Sequence, residues 1–193
     1  YFRHLERNHG FKALVTAGPT HEYIDPVRFI SNKSSGKQGY EIAESLKNNG
    51  FKTTLISGPT NLDPIDGVNL IKVNSAEEMF HKSLQCLPVD VAVFSAAVAD
   101  YKVKNKEKEK IKKKENMDLT LEKNVDILNH ISNHNSLRPK LVVGFAAETN
   151  ELRKNSLKKL SDKNCDWIIA NDVSNSEIGF NSEFNKVSIF YKN

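Results

Sequence analysis

Lys12-Ala13-Leu14-Val15-Thr16-Ala17-Gly18 is an apolar run that ends on a glycine, and Thr53-Thr54-Leu55-Ile56-Ser57 is a second, closed by Gly58-Pro59. Short apolar runs bounded by turn residues read as buried strands. Between them, Ile42, Ala43 and Leu46 recur at helical spacing within Lys37 to Asn49, with Ser35 placed to cap the helix and Asn49-Gly50 to end it. Strand, helix, strand is the unit from which parallel sheets are built. The alternation continues outward. Asn69 to Val73 reads as a third strand, and Ser75-Ala76-Glu77-Glu78 has the capping-box pattern that opens a helix to about Leu87. Val91-Ala92-Val93-Phe94-Ser95-Ala96-Ala97 is a continuous apolar strand of the kind found at the centre of parallel sheets. A short strand within Asp118 to Lys123 follows, then a helix over Val125 to Asn133 and the strand Leu141 to Ala146. Next come a helix over Glu151 to Lys163 with Leu152, Leu157 and Leu160 inward, the strand Trp167 to Ala170, and an edge strand within Lys186 to Tyr191. The pattern predicts an α/β fold with a mostly parallel sheet and helices on both faces. No repeat or linker divides it, so residues 1–193 are expected to form one domain.

Composition narrows the class. A hydrophobic fraction of 38% with 27% charged residues suits a soluble globular chain and excludes wholesale disorder. No apolar run approaches the ~18 residues of a membrane helix, and no membrane partner is expected. Tyr1-Phe2-Arg3-His4 is not followed by the apolar segment of a signal peptide. Cys86 and Cys165 form no metal or CxxC pattern, which points to a reducing, cytoplasmic setting. His130 and His134 are four apart on the expected helix, a metal-capable spacing, but lack a third ligand nearby and read better as solvated.

Charge is concentrated. Lys102 to Lys114 holds eight Lys and two Glu, an excess larger than the whole chain's net +4, so the remainder is net acidic. Such a run can contact nucleic-acid phosphates, form a solvated loop, act as a nuclear address, or serve as a mobile flap over an anionic ligand. It lacks the interleaved aromatics of a single-strand binding surface. Eight close lysines that repel one another, with no apolar stripe to anchor them, lead to the expectation of a segment mobile in the absence of ligand.

In doubly wound folds ligands bind at the carboxyl ends of the strands. Gly18-Pro19-Thr20 follows the first strand, and Ser34-Ser35-Gly36 precedes the first helix, where backbone N–H groups and the helix dipole favour anions. Asp100, Glu148 and Asp172 follow three later strands and are candidates for water-mediated contact with Mg²⁺ or for bonds to loop amides. Neither a G-x-G-x-x-G nor a G-x-x-x-x-G-K-[ST] pattern is present.

Seven stretches in order, T-A-G-P-T, D-P-V-R-F-I-S-N-K-S-S-G-K-Q-G, A-A-V-A-D-Y, E-K-I-K-K, K-N-V-D-I-L, V-G-F-A-A-E-T and A-N-D-V-S, followed by G-F-N, closely resemble phosphopantothenate–cysteine ligases, also called phosphopantothenoylcysteine synthetases. In many bacteria this enzyme is the carboxyl-terminal half of a bifunctional coenzyme A biosynthesis protein. The resemblance runs from about Lys12 to about Tyr191, with Val125 where bacterial members usually carry proline. It implies a three-layer Rossmann-like fold with a lysine-rich flap over about 102–118 and a homodimer. The implied substrates are 4′-phosphopantothenate, L-cysteine and CTP, with Mg²⁺ as cofactor. The carboxylate would attack the α-phosphate of CTP with loss of pyrophosphate. The acyl-cytidylate would then pass to the cysteine amine with loss of CMP. Residue by residue, the resemblance places catalysis on Asn32, Lys110 and Arg28, the last as an anion contact. It places the nucleotide on Ala96, Asp100, Lys110, Glu122, Lys123, Asn124, Val125, Phe145, Lys159 and Lys163, and phosphate or substrate contacts on Ser34, Ser35, Gly36 and Ala97.

Without the resemblance, Phe145 reads as a core aromatic and Lys159 with Lys163 as a solvated helix face. Two other classes compete. A dinucleotide-dependent reductase needs a glycine-rich fingerprint and an acidic residue after the second strand, and Ser57-Gly58-Pro59-Thr60 offers neither. A nucleic-acid module built on Lys102–Lys114 would show binding that falls steeply with salt and ignores CTP; no nucleic-acid partner is expected.

Overall fold

The computed structural model describes residues 10–113, 115–172 and 186–192. In chain order the elements are β1 (Lys12–Ala17), β2 (Glu22–Tyr23), β3 (Phe29–Ile30), α1 (Lys37–Asn48), β4 (Lys52–Ser57), β5 (Asn69–Lys72), α2 (Ala76–Cys86), β6 (Val91–Phe94), β7 (Tyr101–Val103), β8 (Leu121–Lys123), α3 (Ile127–Ser132), β9 (Leu141–Glu148), α4 (Leu152–Asp162), β10 (Trp167–Asp172) and β11 (Val187–Tyr191). Seven strands form one sheet in the order β11-β10-β9-β6-β1-β4-β5. Every neighbouring pair is parallel except β10 with β11. This is the doubly wound Rossmann-like order with an added antiparallel edge strand.

The period of two within each strand sorts side chains onto two faces. Leu14, Ala92, Val142 and Ile168 pack with Met79 of α2, Ile131 of α3 and Leu160 of α4. Ala13, Val15, Val93 and Val143 face the other way, onto Tyr40 and Ala43 of α1. Leu14, Leu55, Ile56, Met79, Ile131 and Ile168 are almost completely buried, and full burial of such a side chain contributes about 1.5–3 kcal/mol. Gly39 lets α1 lie against β1: a Cβ there would collide with Ala17.

Several local expectations are corrected. Ser35 does not cap α1; Gly36 occupies that position with φ 80°, a left-handed conformation suited to glycine. Ser75 Oγ accepts from Glu78 N–H (3.2 Å), but the Glu78 carboxylate reaches Asn74 N–H (2.8 Å) rather than the cap residue's own, so the capping box is displaced by one position. β6 ends at Phe94 because Ser95 Oγ donates to Thr16 O (2.7 Å) and the chain then follows the loop after β1. Leu157 of α4 is 41% exposed while Leu160 is buried, so only part of the expected apolar stripe turns inward. The expected helix over 125–133 shortens to α3, which leaves His134 beyond its end, accepting from Leu137 N–H (3.1 Å). Two small sheets, β2 with β3 and β7 with β8, stand apart from the central sheet.

Candidate functional site

After β1 the chain crosses by α1 to β4 on one side, and after β5 it returns by α2 to β6 on the other. The loops leaving β1 and β6 are therefore the switch point of the sheet, where such folds form a crevice. They are stitched together. Ala97 N–H donates to Gly18 O (2.9 Å), Ala99 N–H to Thr20 Oγ1 (3.0 Å), and Pro19 pairs with Ala97 as an isolated bridge. Above this floor lies a cleft of about 1330 Å³.

One end of the cleft is set by the start of α1. Gly36 N–H donates to Ser34 Oγ (3.2 Å) and Lys37 N–H to Ser35 Oγ (3.4 Å), so the two serines shape the turn that aims the helix dipole at the cleft. The loops are close. A Cβ on Gly36 would sit 2.6 Å from Thr60 Cγ2, and one on Gly18 2.8 Å from the same methyl. Asn32 lines this end and donates from Nδ2 to Val98 O (3.0 Å), bridging the loop before α1 to the loop after β6.

The other end is built by the segment before α3, the end of β9, and α4. Phe145 is half-buried, packed against the core cluster on one side and lining the cleft on the other. Lys159 Nζ donates to Phe145 O (2.8 Å). Burial lowers its pKa; Glu148 opposes that shift, Lys163 adds to it, and Asp126 and Asp100 oppose it more weakly. Lys163 pairs with Asp126, whose other oxygen caps α3 by accepting from Asn129 N–H (2.9 Å). Neither lysine is the freely solvated group that spacing alone suggests. Asn124 Oδ1 accepts from Val125 N–H (3.0 Å), whereas its buried Nδ2 has no hydrogen-bond partner among the described residues. A ligand acceptor would satisfy that donor.

Thirteen residues named from the sequence line this one cleft: Asn32, Ser34, Ser35, Gly36, Ala96, Ala97, Asp100, Lys123, Asn124, Val125, Phe145, Lys159 and Lys163. Three do not. Glu122 is exposed on β8 and pairs with Lys102 (3.7 Å). Lys110 is exposed on the flap outside the lining. Arg28 is committed within the protein: Nε and Nη2 donate to Asp25 Oδ2 (2.9 and 2.6 Å), and Nη2 also donates to Ile111 O (2.6 Å). The structure adds Asp126 and Leu128 to the lining; Asp126 is the N-cap of α3, a signal missed because the helix was expected to begin at Val125.

The flap carries hydrogen-bonded tethers that its composition did not suggest. Lys104 N–H donates to Thr120 O (2.9 Å), Glu107 N–H to Ile24 O (2.9 Å) and Ile111 N–H to Asp25 Oδ2 (3.1 Å). Lys106 Nζ lies 5.0 Å from the centre of the Tyr23 ring. Among the described residues no three His, Cys, Asp or Glu side chains form a metal cluster. The Asp172 side chain, Lys114, Val173-Ser174 and Gly179-Phe180-Asn181 lie outside the described residues.

A family model for the DNA/pantothenate metabolism flavoprotein C-terminal domain matches residues 8–193. The chain is 43% identical to the coenzyme A biosynthesis bifunctional protein CoaBC of Haemophilus influenzae over 195 residues, covering 100% of this chain and 48% of that protein. It is 42% identical to CoaBC of Bacillus subtilis over 186 residues, covering 95% of this chain and 45% of that protein. The chain thus spans about half the length of the curated relatives it matches. A crystal structure of the C-terminal domain of CoaBC superposes with a TM-score of 0.79 at 40% identity, covering 95% of this chain and 83% of that one. No described helix is long and apolar enough to cross a membrane. The sheet order, the cleft at its switch point and these matches together establish that the chain belongs to the DNA/pantothenate metabolism flavoprotein C-terminal domain family.

Proposed function

We propose that this chain is a phosphopantothenate–cysteine ligase, joining 4′-phosphopantothenate to L-cysteine at the expense of CTP. The observation that carries the reading is the convergence of motif residues from separate segments on one cleft, cationic at α4 and open to a helix N-terminus at α1. The pantothenate carboxylate attacks the α-phosphorus of CTP and pyrophosphate leaves. Lys159 and Lys163 face the triphosphate, and Lys163 exchanges Asp126 for phosphate oxygens. Lys110 approaches from the flap as charge builds on the leaving group. The cysteine amine then attacks the acyl carbon and CMP leaves. Asn32 retains a second amide N–H beyond the one on Val98, and it donates to the acyl oxygen. The Ser34–Gly36 turn receives the substrate phosphate. Asp100 and Asp126 are carboxylates of the lining, a sparse set that fits Mg²⁺ arriving on the triphosphate and keeping most of its waters. When bound, the ion supplies neutralisation of phosphate charge.

A homodimer is supported by exposed apolar side chains on and beside the small sheets. Val27 is 57% exposed, Phe29 44%, Tyr101 48% and Leu121 45%, and such a patch is commonly covered in solution. A reducing, cytoplasmic setting is supported by the free thiols Cys86 and Cys165. The test is direct. With CTP, Mg²⁺ and cysteine, pyrophosphate should appear only when 4′-phosphopantothenate is added, and the amide product should accumulate. Pyrophosphate release independent of pantothenate, or none, overturns the reading.

A further inference from the structure

We propose that Asp25 is a positioning residue for the flap: its carboxylate, held in the β2–β3 turn, grips the flap backbone at Ile111 and thereby sets the place of Lys110. Asp25 is completely buried. Its Oδ1 accepts from Val27 N–H (2.8 Å) and Arg28 N–H (2.9 Å), which fixes the carboxylate in the turn. Its Oδ2 accepts from Arg28 Nε (2.9 Å) and Nη2 (2.6 Å), and from Ile111 N–H (3.1 Å), 86 residues away. Arg28 closes the ring by donating from Nη2 to Ile111 O (2.6 Å). Both polar groups of one flap residue, its N–H and its carbonyl, are thus held by an ion pair outside the flap.

Three flap residues lie between this anchor and the preceding one at Glu107, whose N–H donates to Ile24 O (2.9 Å) in the same turn. Lys108, Glu109 and Lys110 form a short, exposed span pinned at both ends to the β2–β3 turn. The Lys110 Cα is one step, about 3.8 Å, from the Cα of Ile111, whose N–H the Asp25 carboxylate holds. Consecutive lysines of the flap are therefore not equivalent. Lys110 and Lys112 both flank Ile111, but of the two only Lys110 lies inside the span closed at Glu107, and a buried carboxylate that touches no substrate governs where it can reach.

This inference rests on the assignment of Lys110 to the ligase reaction, and the experiment separates the two. Wild type, Asp25→Asn, Lys110→Gln and the double variant are compared in single-turnover pyrophosphate release with Mg²⁺, CTP and 4′-phosphopantothenate. Amide hydrogen exchange of residues 107–111 is followed in parallel. Asp25→Asn keeps the shape but turns an NH₂ group or a weaker acceptor toward the Ile111 and Arg28 donors. Faster exchange at Ile111 and a turnover slowed about 10–100-fold are expected, with a smaller change in KM for CTP. Adding Lys110→Gln to Asp25→Asn should slow it little further than Lys110→Gln alone, because both substitutions remove the same placed cation. Effects that multiply, or unchanged exchange at Ile111, overturn the proposal. Should Asp25→Asn fail to fold, wild type still decides: the Ile111 amide must exchange at least about tenfold more slowly than those of Lys110 and Lys112, and equal rates overturn the anchor. A wild type that exchanges as expected but releases no pyrophosphate counts against the ligase reading and leaves the anchor standing as a structural fact without its catalytic role, which also overturns the proposal.

Discussion

Asn32 commits one amide N–H to the Val98 carbonyl and keeps the other for the cleft. Asn32→Asp therefore loses a donor on both sides and sets an oxygen against Val98 O. If the acyl oxygen needs that donor only when cysteine attacks, the variant should release pyrophosphate about once per site and accumulate acyl-cytidylate. The second step should then be slowed about 10²–10³-fold. Quenched-flow separation of intermediate from amide checks this; equal loss in both half-reactions would assign Asn32 to the loop alone. Lys159 makes a second prediction at this scale. Its pKa is lowered by burial in the folded protein. The folded chain thus binds fewer protons than the unfolded one as pH rises through that depressed value, and the linked stability increases with pH up to the ordinary lysine range. Affinity for the nucleotide should move the opposite way, falling at alkaline pH before an ordinary lysine would titrate. Lys159→Gln should flatten that fall in a titration of CTP binding. The sequence alone pointed to a solvated face for Lys159, since spacing gives the direction of a side chain but not the carbonyl that receives it. The core reading of Phe145 held for one side of its ring and missed the cleft on the other, since apolarity does not distinguish a cleft wall from an interior.

Elements show a sharper boundary between what is legible and what is not. The central strands could be read because continuous apolar runs have few other fates, and β1, β4, β6 and β9 fall where those runs predict. Of the two small sheets only β8 was foreseen, as the short strand within Asp118 to Lys123; β2, β3 and β7 escaped notice because strands of two or three residues have no period to detect. With them went the anchoring of the flap, which depends on the turn joining β2 to β3. Acid should expose that dependence. Burial works to raise the Asp25 pKa, but hydrogen bonds from Val27, the Arg28 side chain, Ile111 and the Arg28 backbone outweigh it and hold the carboxyl well below the usual range. The stabilisation it contributes is present above the unfolded carboxylate pKa of about 3.9 and is lost as pH falls from there through the folded value. The flap should accordingly resist an acid-tolerant protease at pH 5 and become susceptible only below about pH 4. At the start of α1, Gly36→Ala forces a side chain into a left-handed residue 2.6 Å from a methyl group. A cost of about 1–2 kcal/mol and a lower melting temperature are expected, together with weaker binding of the substrate phosphate.

For the molecule as a whole, the arrangement of charge matters more than its sum. The segment 102–114 is more positive than the entire chain, so the sheet domain behind it is net acidic. β7 and β8 form a sheet of their own outside the central one, and the segment that follows β7 is tethered to the β2–β3 turn. The protein is consequently polarised in charge between this segment and the rest of the chain. Under the proposed function, such a field would draw an approaching nucleoside triphosphate before any contact forms, an effect that raises encounter rates by about 10–10³ at low ionic strength. Screening shortens the reach of that field to about 8 Å at physiological salt. Stopped-flow measurements at increasing salt should show the association rate of CTP falling while its dissociation rate changes little. Replacing the exposed Lys104 and Lys108 by glutamine should flatten that dependence. That outcome would separate the long-range work of the lysine run from its chemistry: most of its cations would then act at a distance, on the time a substrate takes to arrive.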